Sequence, residues 1–224
     1  TTGLITYMRT DSTNVSEIAL KEVRAHILHT YGKDYLPASA PQYKTRAVGA
    51  QEAHECVRPT SVLRLPDKVK SHLTHDQFKL YQLIWQRFVS SQMESAVFDT
   101  LSVDVSTEKV AHVYLLRASG STVKFPGFLV VYEETQDEDF RADDGENENT
   151  RIPANLTEGQ AQSLVRLLPE QHFTQPPPRF TEATLVQALE EFGIGRPSTY
   201  APILSTIQER GYVVREAKRL SPTE

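Results

Sequence analysis

Near Thr100 the apolar residues of this chain stop recurring every third or fourth position and begin to alternate. That change of period limits the fold more than any other feature. Before it, Leu20, Val23, Ile27 and Tyr31 fall at near-heptad spacing, with Ser12 or Ser16 placed to cap a helix and Gly32 placed to end it. Thr74-His75-Asp76-Gln77 is a capping box that opens a stronger helix to about Met93, with Phe78, Tyr81, Trp85 and Phe88 as its buried stripe. After the change, Leu101, Val103 and Val105 alternate with Ser102, Asp104 and Ser106, the pattern of a strand with one wet face. Residues 110–118 and 123–132 read as further strands, with Gly120 in the turn between them. Thr157-Glu158-Gly159-Gln160 reads as a second capping box and predicts a short helix to about Leu168. Pro176-Pro177-Pro178 is a stiff linker. The helical period then returns through Leu185, Val186 and Leu189, with Thr181 as cap and Gly193 as stop. Gly195-Arg196-Pro197 makes a tight turn, Ser198 caps a second helix to about Arg210, and a strand starts at Gly211. Helix, glycine turn, helix and strand outline a winged helix-turn-helix. The expected class is α+β and multi-domain: a helical part over 1–95, a β-rich part over 96–178 and a winged-helix-like part over 179–224.

Charge qualifies what such a chain can bind. The net of −5 over 224 residues argues against nucleic acid until its distribution is read. Residues 133–148 hold nine carboxylates and one arginine, a local net of −8, which leaves +3 for the rest of the chain. The acidic run over 133–150 therefore reads as a solvated loop that repels nucleic acid where it stands and leaves the remainder free to bind it. A lone Cys56 excludes a disulfide framework and suits a reducing, cytoplasmic setting. No apolar run approaches the roughly 20 residues of a membrane span. His72 and His75 have no cysteine or third histidine at ligand spacing, so no metal site is expected among them.

The chemistry concentrates in Gly3-Leu4-Ile5-Thr6-Tyr7-Met8-Arg9-Thr10-Asp11-Ser12. A tyrosine hydroxyl, titrating near about 10, is a poor nucleophile at neutral pH and needs a cation to neutralise the phosphate it attacks. In an extended segment residues i and i+2 share a face, so Tyr7 and Arg9 can approach one phosphate together. The same pattern also describes an edge strand with a half-buried tyrosine and a solvated arginine.

Residues 4–12 resemble the active-site tyrosine motif of bacterial type IA DNA topoisomerases. Two later stretches resemble the same family in the same order: Gln51-Glu52-Ala53-His54-Glu55-Cys56-Val57-Arg58-Pro59-Thr60, and 180–213 with Gly193-Ile194-Gly195-Arg196-Pro197-Ser198-Thr199-Tyr200. The likeness spans nearly the whole chain, with little motif between about 100 and 175. In the second stretch Cys56 and Val57 stand where the family has Ala and Ile, and the stretch reads as a short helix stopped by Pro59. The chain opens inside a motif without an initiator Met, as expected of a fragment of a longer protein.

That resemblance implies a division of labour. Tyr7 would attack single-stranded DNA and hold the 5′ phosphate. Arg9 would orient that phosphate, His54 would support it, and Thr10 would be a second contact. Arg58 would reach DNA or else pair with a nearby carboxylate. Arg196 and Arg210 would bind phosphates of the upstream strand, with hydroxyl hydrogen bonds from Ser198, Thr199 or Tyr200. Gln187, where the family often has Lys, would weaken binding at that point. The β-rich part would belong to an arch joining the tyrosine domain to the base. The implied cofactor, Mg2+, would bind an N-terminal domain upstream of the tyrosine motif, so this chain alone is expected to be inactive or weakly active. The implied partners are DNA, mainly single-stranded segments of negatively supercoiled duplex, and the other domains of the same polypeptide, in a nucleoid-associated monomer of the bacterial cytoplasm. Two rival readings are a non-catalytic single-strand-binding module, whose affinity would ignore Tyr7→Phe, and a protein-interaction domain that uses the acidic loop.

Overall fold

The computed structural model describes residues 3–8, 10, 12–43, 54–107, 112–133, 152, 156–174 and 176–223. The chain divides into two compact units, one of residues 1–94, 128–133 and 178–224, the other of 95–127 and 134–177. It is a mixed α and β structure whose sheets are small and antiparallel.

The core of the first unit is built by two helices. Helix α1 spans Glu17–Thr30, with Ser16 at the N-cap position and Glu17 in its first turn, where a carboxylate favours the helix dipole. Ala19, Val23 and Ile27, four apart, form its buried stripe. The helix stops because Gly32 takes φ +100, which lets the N–H groups of Tyr31 and Gly32 both donate to the Ile27 carbonyl. A short helix α2, Pro66–Val69, precedes α3, His75–Ser91. The capping box of α3 forms as the sequence predicts: Gln77 N–H donates to the Thr74 hydroxyl at 3.3 Å, and Thr74 N–H to the Gln77 side chain at 3.0 Å. Tyr81, Trp85, Phe88 and Val89 are buried against the α1 stripe, while Phe78 is half-buried under the Lys70 ammonium. The two large polar-tipped rings find partners: Trp85 Nε1 donates to Val62 O at 3.0 Å, and Tyr81 Oη to Arg64 O at 2.6 Å.

The second unit holds a long hairpin, strand β1 Val97–Ser106 against β2 Leu115–Phe125. Here two strand expectations are corrected. Gly120 is not in a turn; it lies within β2 opposite Leu101. The chain reverses instead beyond Thr107, whose N–H donates to Tyr114 O at 3.0 Å. Residues 123–132 are not one strand either, because Pro126 lacks the ladder donor and Gly127, at φ +49, turns the chain into a 3-10 turn over Gly127–Val130. Cross-strand pairs hold the register: Ser102 with Ser119, Asp99 with Lys124, and a two-pronged bond from Arg117 to Asp104 at 2.7 and 2.9 Å. The helix expected from Thr157 does not form either. Thr157 N–H does reach the Gln160 side chain at 3.1 Å, but Gly159 takes φ +76 and converts the start into an isolated turn. Residues 160–174 have no regular structure.

Within the first unit, the C-terminal segment forms α4 Glu182–Glu191, α5 Tyr200–Glu209 and the hairpin β3 Val213–Glu216 with β4 Arg219–Pro222. Thr181 caps α4 in a reciprocal box with Thr184. A bridge from Thr181 to Arg219 and a bond from Leu220 N–H to Phe180 O at 2.7 Å draw the hairpin onto the start of α4, burying Leu220. Ser198 is not the cap of α5; that position belongs to Thr199, which is itself in helical geometry. The acidic run over 134–150 lies outside the described residues.

Candidate active site

Residues 4–6 and 12–16 are fastened at several points to 54–60, and this pairing replaces the short helix expected before Pro59. Leu4 O accepts from Thr60 N–H at 2.9 Å, Ile5 bridges Pro59, and Thr6 N–H donates to Arg58 O at 2.9 Å. Further on, Cys56 N–H donates to Asn14 O at 2.8 Å, and the Ser12 hydroxyl donates to the His54 carbonyl. A segment whose peptide groups pair with another segment cannot also form its own i to i−4 ladder, so 54–60 runs irregular and extended. Residues 51–53 lie outside the described residues.

Thr6 faces inward. Its hydroxyl donates to Cys56 O at 2.8 Å and accepts from Arg58 N–H at 3.0 Å. By strand alternation the next side chain points the other way, and Tyr7 is 79% exposed. The tyrosine is thus anchored by its neighbour and its ring is left open to solvent. Thr10 is exposed as well, and Arg9 lies outside the described residues.

Arg58 takes the carboxylate-paired arrangement of its two readings. Its side chain is only 12% exposed and donates to Glu55 Oε2 at 2.9 Å and to Pro59 O at 3.0 Å. Glu55 Oε1 also accepts from Ser16 N–H at 3.0 Å. Desolvation raises the Glu55 pKa, but the Ser16 hydrogen bonds and the Arg58 charge outweigh it and hold the carboxyl below its ordinary 4.5. Burial pushes the Cys56 thiol up, against the opposing pull of Arg58, and so disfavours its thiolate. His54 is half-buried.

The remaining candidates gather elsewhere in the C-terminal segment. Arg196, Ser198, Thr199 and Tyr200 cluster at the start of α5, where Arg196 N–H donates to the Thr199 hydroxyl at 2.8 Å. Arg196 and Ser198 are exposed and Tyr200 half-buried, its hydroxyl pushed up by desolvation and by the Glu190 charge. Arg210 is exposed at the opposite end of the helix, about 15 Å away for ten residues at helical rise. The two arginines therefore lie at opposite ends of the helix. Gln187 donates to Glu191 at 3.2 Å on the exposed face of α4. Among the described residues no group of three His, Cys, Asp or Glu side chains is arranged to hold a metal ion, so the described residues do not fit Mg2+. Nor is any described helix long and apolar enough to cross a membrane.

Sequence reasoning passed over the side chains that fasten the two segments: Thr6, Ser12 and Glu55. Alternation about Tyr7 could have marked Thr6 as the inward neighbour, but nothing local identifies a bonding partner fifty residues away.

Comparison with known proteins bears on the same residues. A family model described as DNA topoisomerase matches residues 1–224. Among solved structures, full-length topoisomerase I from Thermotoga maritima superposes with a TM-score of 0.77 at 32% identity, over 98% of this chain and 33% of that protein. The chain spans about a third of that relative's length. With the match running from the first residue to the last, the chain belongs to the DNA topoisomerase family.

Proposed function

We propose that this chain carries the cleaving tyrosine and a strand-binding helix pair of a type IA topoisomerase, organised as a tyrosine-bearing part over 1–95, an arch part over 96–178 and a DNA-binding part over 179–224. The observation that carries the reading is the open Tyr7 ring on a segment bonded at several points to the segment of His54. The Tyr7 oxygen attacks a phosphodiester of single-stranded DNA and forms a bond to phosphorus. The bond from phosphorus to the 3′ oxygen breaks, that oxygen takes up a proton in place of the one Tyr7 loses, and the 5′ phosphate stays on the protein. Another strand passes, and the 3′ hydroxyl reverses the attack. Each bond is exchanged for one of similar energy, so no ATP is consumed. Arg9 orients the phosphate and neutralises its charge, His54 supports it, and Thr10 adds a hydroxyl contact. Arg196 with Ser198, Thr199 and Tyr200, and Arg210 at the far end of α5, hold phosphates of the upstream strand. Arg58 acts through Glu55 and the backbone, positioning rather than touching DNA.

The test is a covalent-adduct assay on a 3′-labelled single-stranded oligonucleotide, with this chain alone and with the rest of the topoisomerase supplied separately. An adduct that needs both parts and vanishes in Tyr7→Phe is expected. Binding without any adduct in either lane would favour a single-strand-binding module instead.

A further inference from the structure

We infer that Ser12 is a positioning residue that fixes His54 relative to Tyr7, an inference that rests on the nucleophile reading above. Ser12 is 7% exposed, one of only two buried polar side chains among the described residues. A buried hydroxyl is costly unless bonded. This one stands five residues before α1, whose N-cap position is Ser16, so it is too far from the helix to cap it. Its hydroxyl instead donates to the main-chain carbonyl of His54, 42 residues along the chain, and accepts from Asn14 N–H at 3.3 Å. Two residues further, Asn14 O accepts Cys56 N–H at 2.8 Å, so the main chain just after the histidine is held at two points. The bond from Thr6 to Cys56 O ties the same loop to the residue before Tyr7. The separation of imidazole and tyrosine is thereby set by bonds to main-chain atoms, and the Ser12 hydroxyl makes the one nearest His54. Misplacing a reacting group by about 1 Å costs on the order of 100-fold in rate, which is the scale to expect on losing it.

The experiment uses the full-length protein carrying Ser12→Ala or Ser12→Cys, alone and combined with His54→Ala. Single-turnover adduct formation and oligonucleotide affinity are measured side by side. Ser12→Ala is expected to slow adduct formation by roughly 10- to 100-fold, to leave affinity within about twofold, and to add nothing once His54 is Ala. A loss of equal size on both backgrounds, or an unchanged rate, would overturn the proposal, since a purely structural serine would act independently of the histidine. Where circular dichroism shows that Ser12→Ala does not fold, Ser12→Cys decides by the same criterion, because it keeps the volume and replaces a strong donor with a weak one. An adduct that persists in Tyr7→Phe would sink the nucleophile reading and this inference together. A normal Tyr7-dependent adduct with an unaltered Ser12→Ala rate would overturn this inference alone.

Discussion

At Arg58 and Glu55, single side chains decide whether the site holds its shape. The guanidinium is nearly enclosed, its Nε is buried with no hydrogen-bond partner among the described residues, and its neighbour's carboxylate is its counter-charge there. Removing the arginine leaves a partly enclosed carboxylate uncompensated, so Arg58→Ala should destabilise the first unit by about 1–3 kcal/mol in denaturant unfolding. The pH dependence has a fixed sign. Glu55 titrates below its ordinary 4.5 in the fold, so its contribution is fully present above that value and is lost as pH falls through the folded value. Melting of wild type against Glu55→Gln should show a gap that is constant above pH 4.5 and closes below it. A gap that widens on acidification would contradict the pairing. Tyr7 and the segment of His54 stood out through resemblance to a family rather than through local pattern, and the short helix read over that segment is absent from 54–60. The helix, turn, helix and strand after Thr181, by contrast, could be read from spacing. The inward role of Thr6 could not, because a hydroxyl carries no mark of which distant carbonyl it will meet.

The elements that local rules describe well are those whose signals agree. Thr74 and Gln77 cap α3 and the aromatic stripe is where the 3.6 period puts it, so propensity, capping and burial point one way. Thr157 and Gln160 carry the same capping pattern, but Gly159 between them takes a left-handed backbone and no apolar stripe behind it is buried, so the helix fails. Gly120 misled in the opposite direction: a glycine in a strand is tolerated when the strand on the other side supplies the ladder. Two predictions belong here. Trp85 sits in the core against the α1 stripe, and Trp85→Ala should cost about 3–5 kcal/mol in chemical unfolding. Gly195 has φ +79, and a Cβ there would lie 3.1 Å from Ile203 Cδ1 and Thr199 Oγ1. Gly195→Ala should therefore lower the stability of the α4–α5 pair by about 1–3 kcal/mol, read as a drop in its melting temperature, whereas alanine at an open helix position would be nearly neutral.

For the whole molecule, the second unit begins at Ser95, a few residues before the period switch near Thr100, and residues 128–133, which no local pattern set apart from the β-rich stretch, belong to the first unit. The single Trp85 lies in the first unit, so its fluorescence reports on that unit alone. The second unit offers mainly a two-stranded ribbon whose described side chains are largely exposed, an arrangement that is marginal by itself. Thermal unfolding followed by strand circular dichroism should therefore begin at a lower temperature than unfolding followed by Trp85 fluorescence. Coincident curves would mean that the units unfold as one.

The bonds that join Thr6 to Cys56 and Ser12 to His54 close loops of 50 and 42 residues. Closing a loop of that size costs roughly 3–4 kcal/mol of chain entropy, recovered only when α1, within the loop, has packed against α3, which follows it. During synthesis the tyrosine emerges long before its histidine segment, with nothing to hold it in register. On the proposed function, a nascent or half-folded chain is harmless to DNA: the capacity to cut a strand arrives last, together with the structure that guarantees its rejoining.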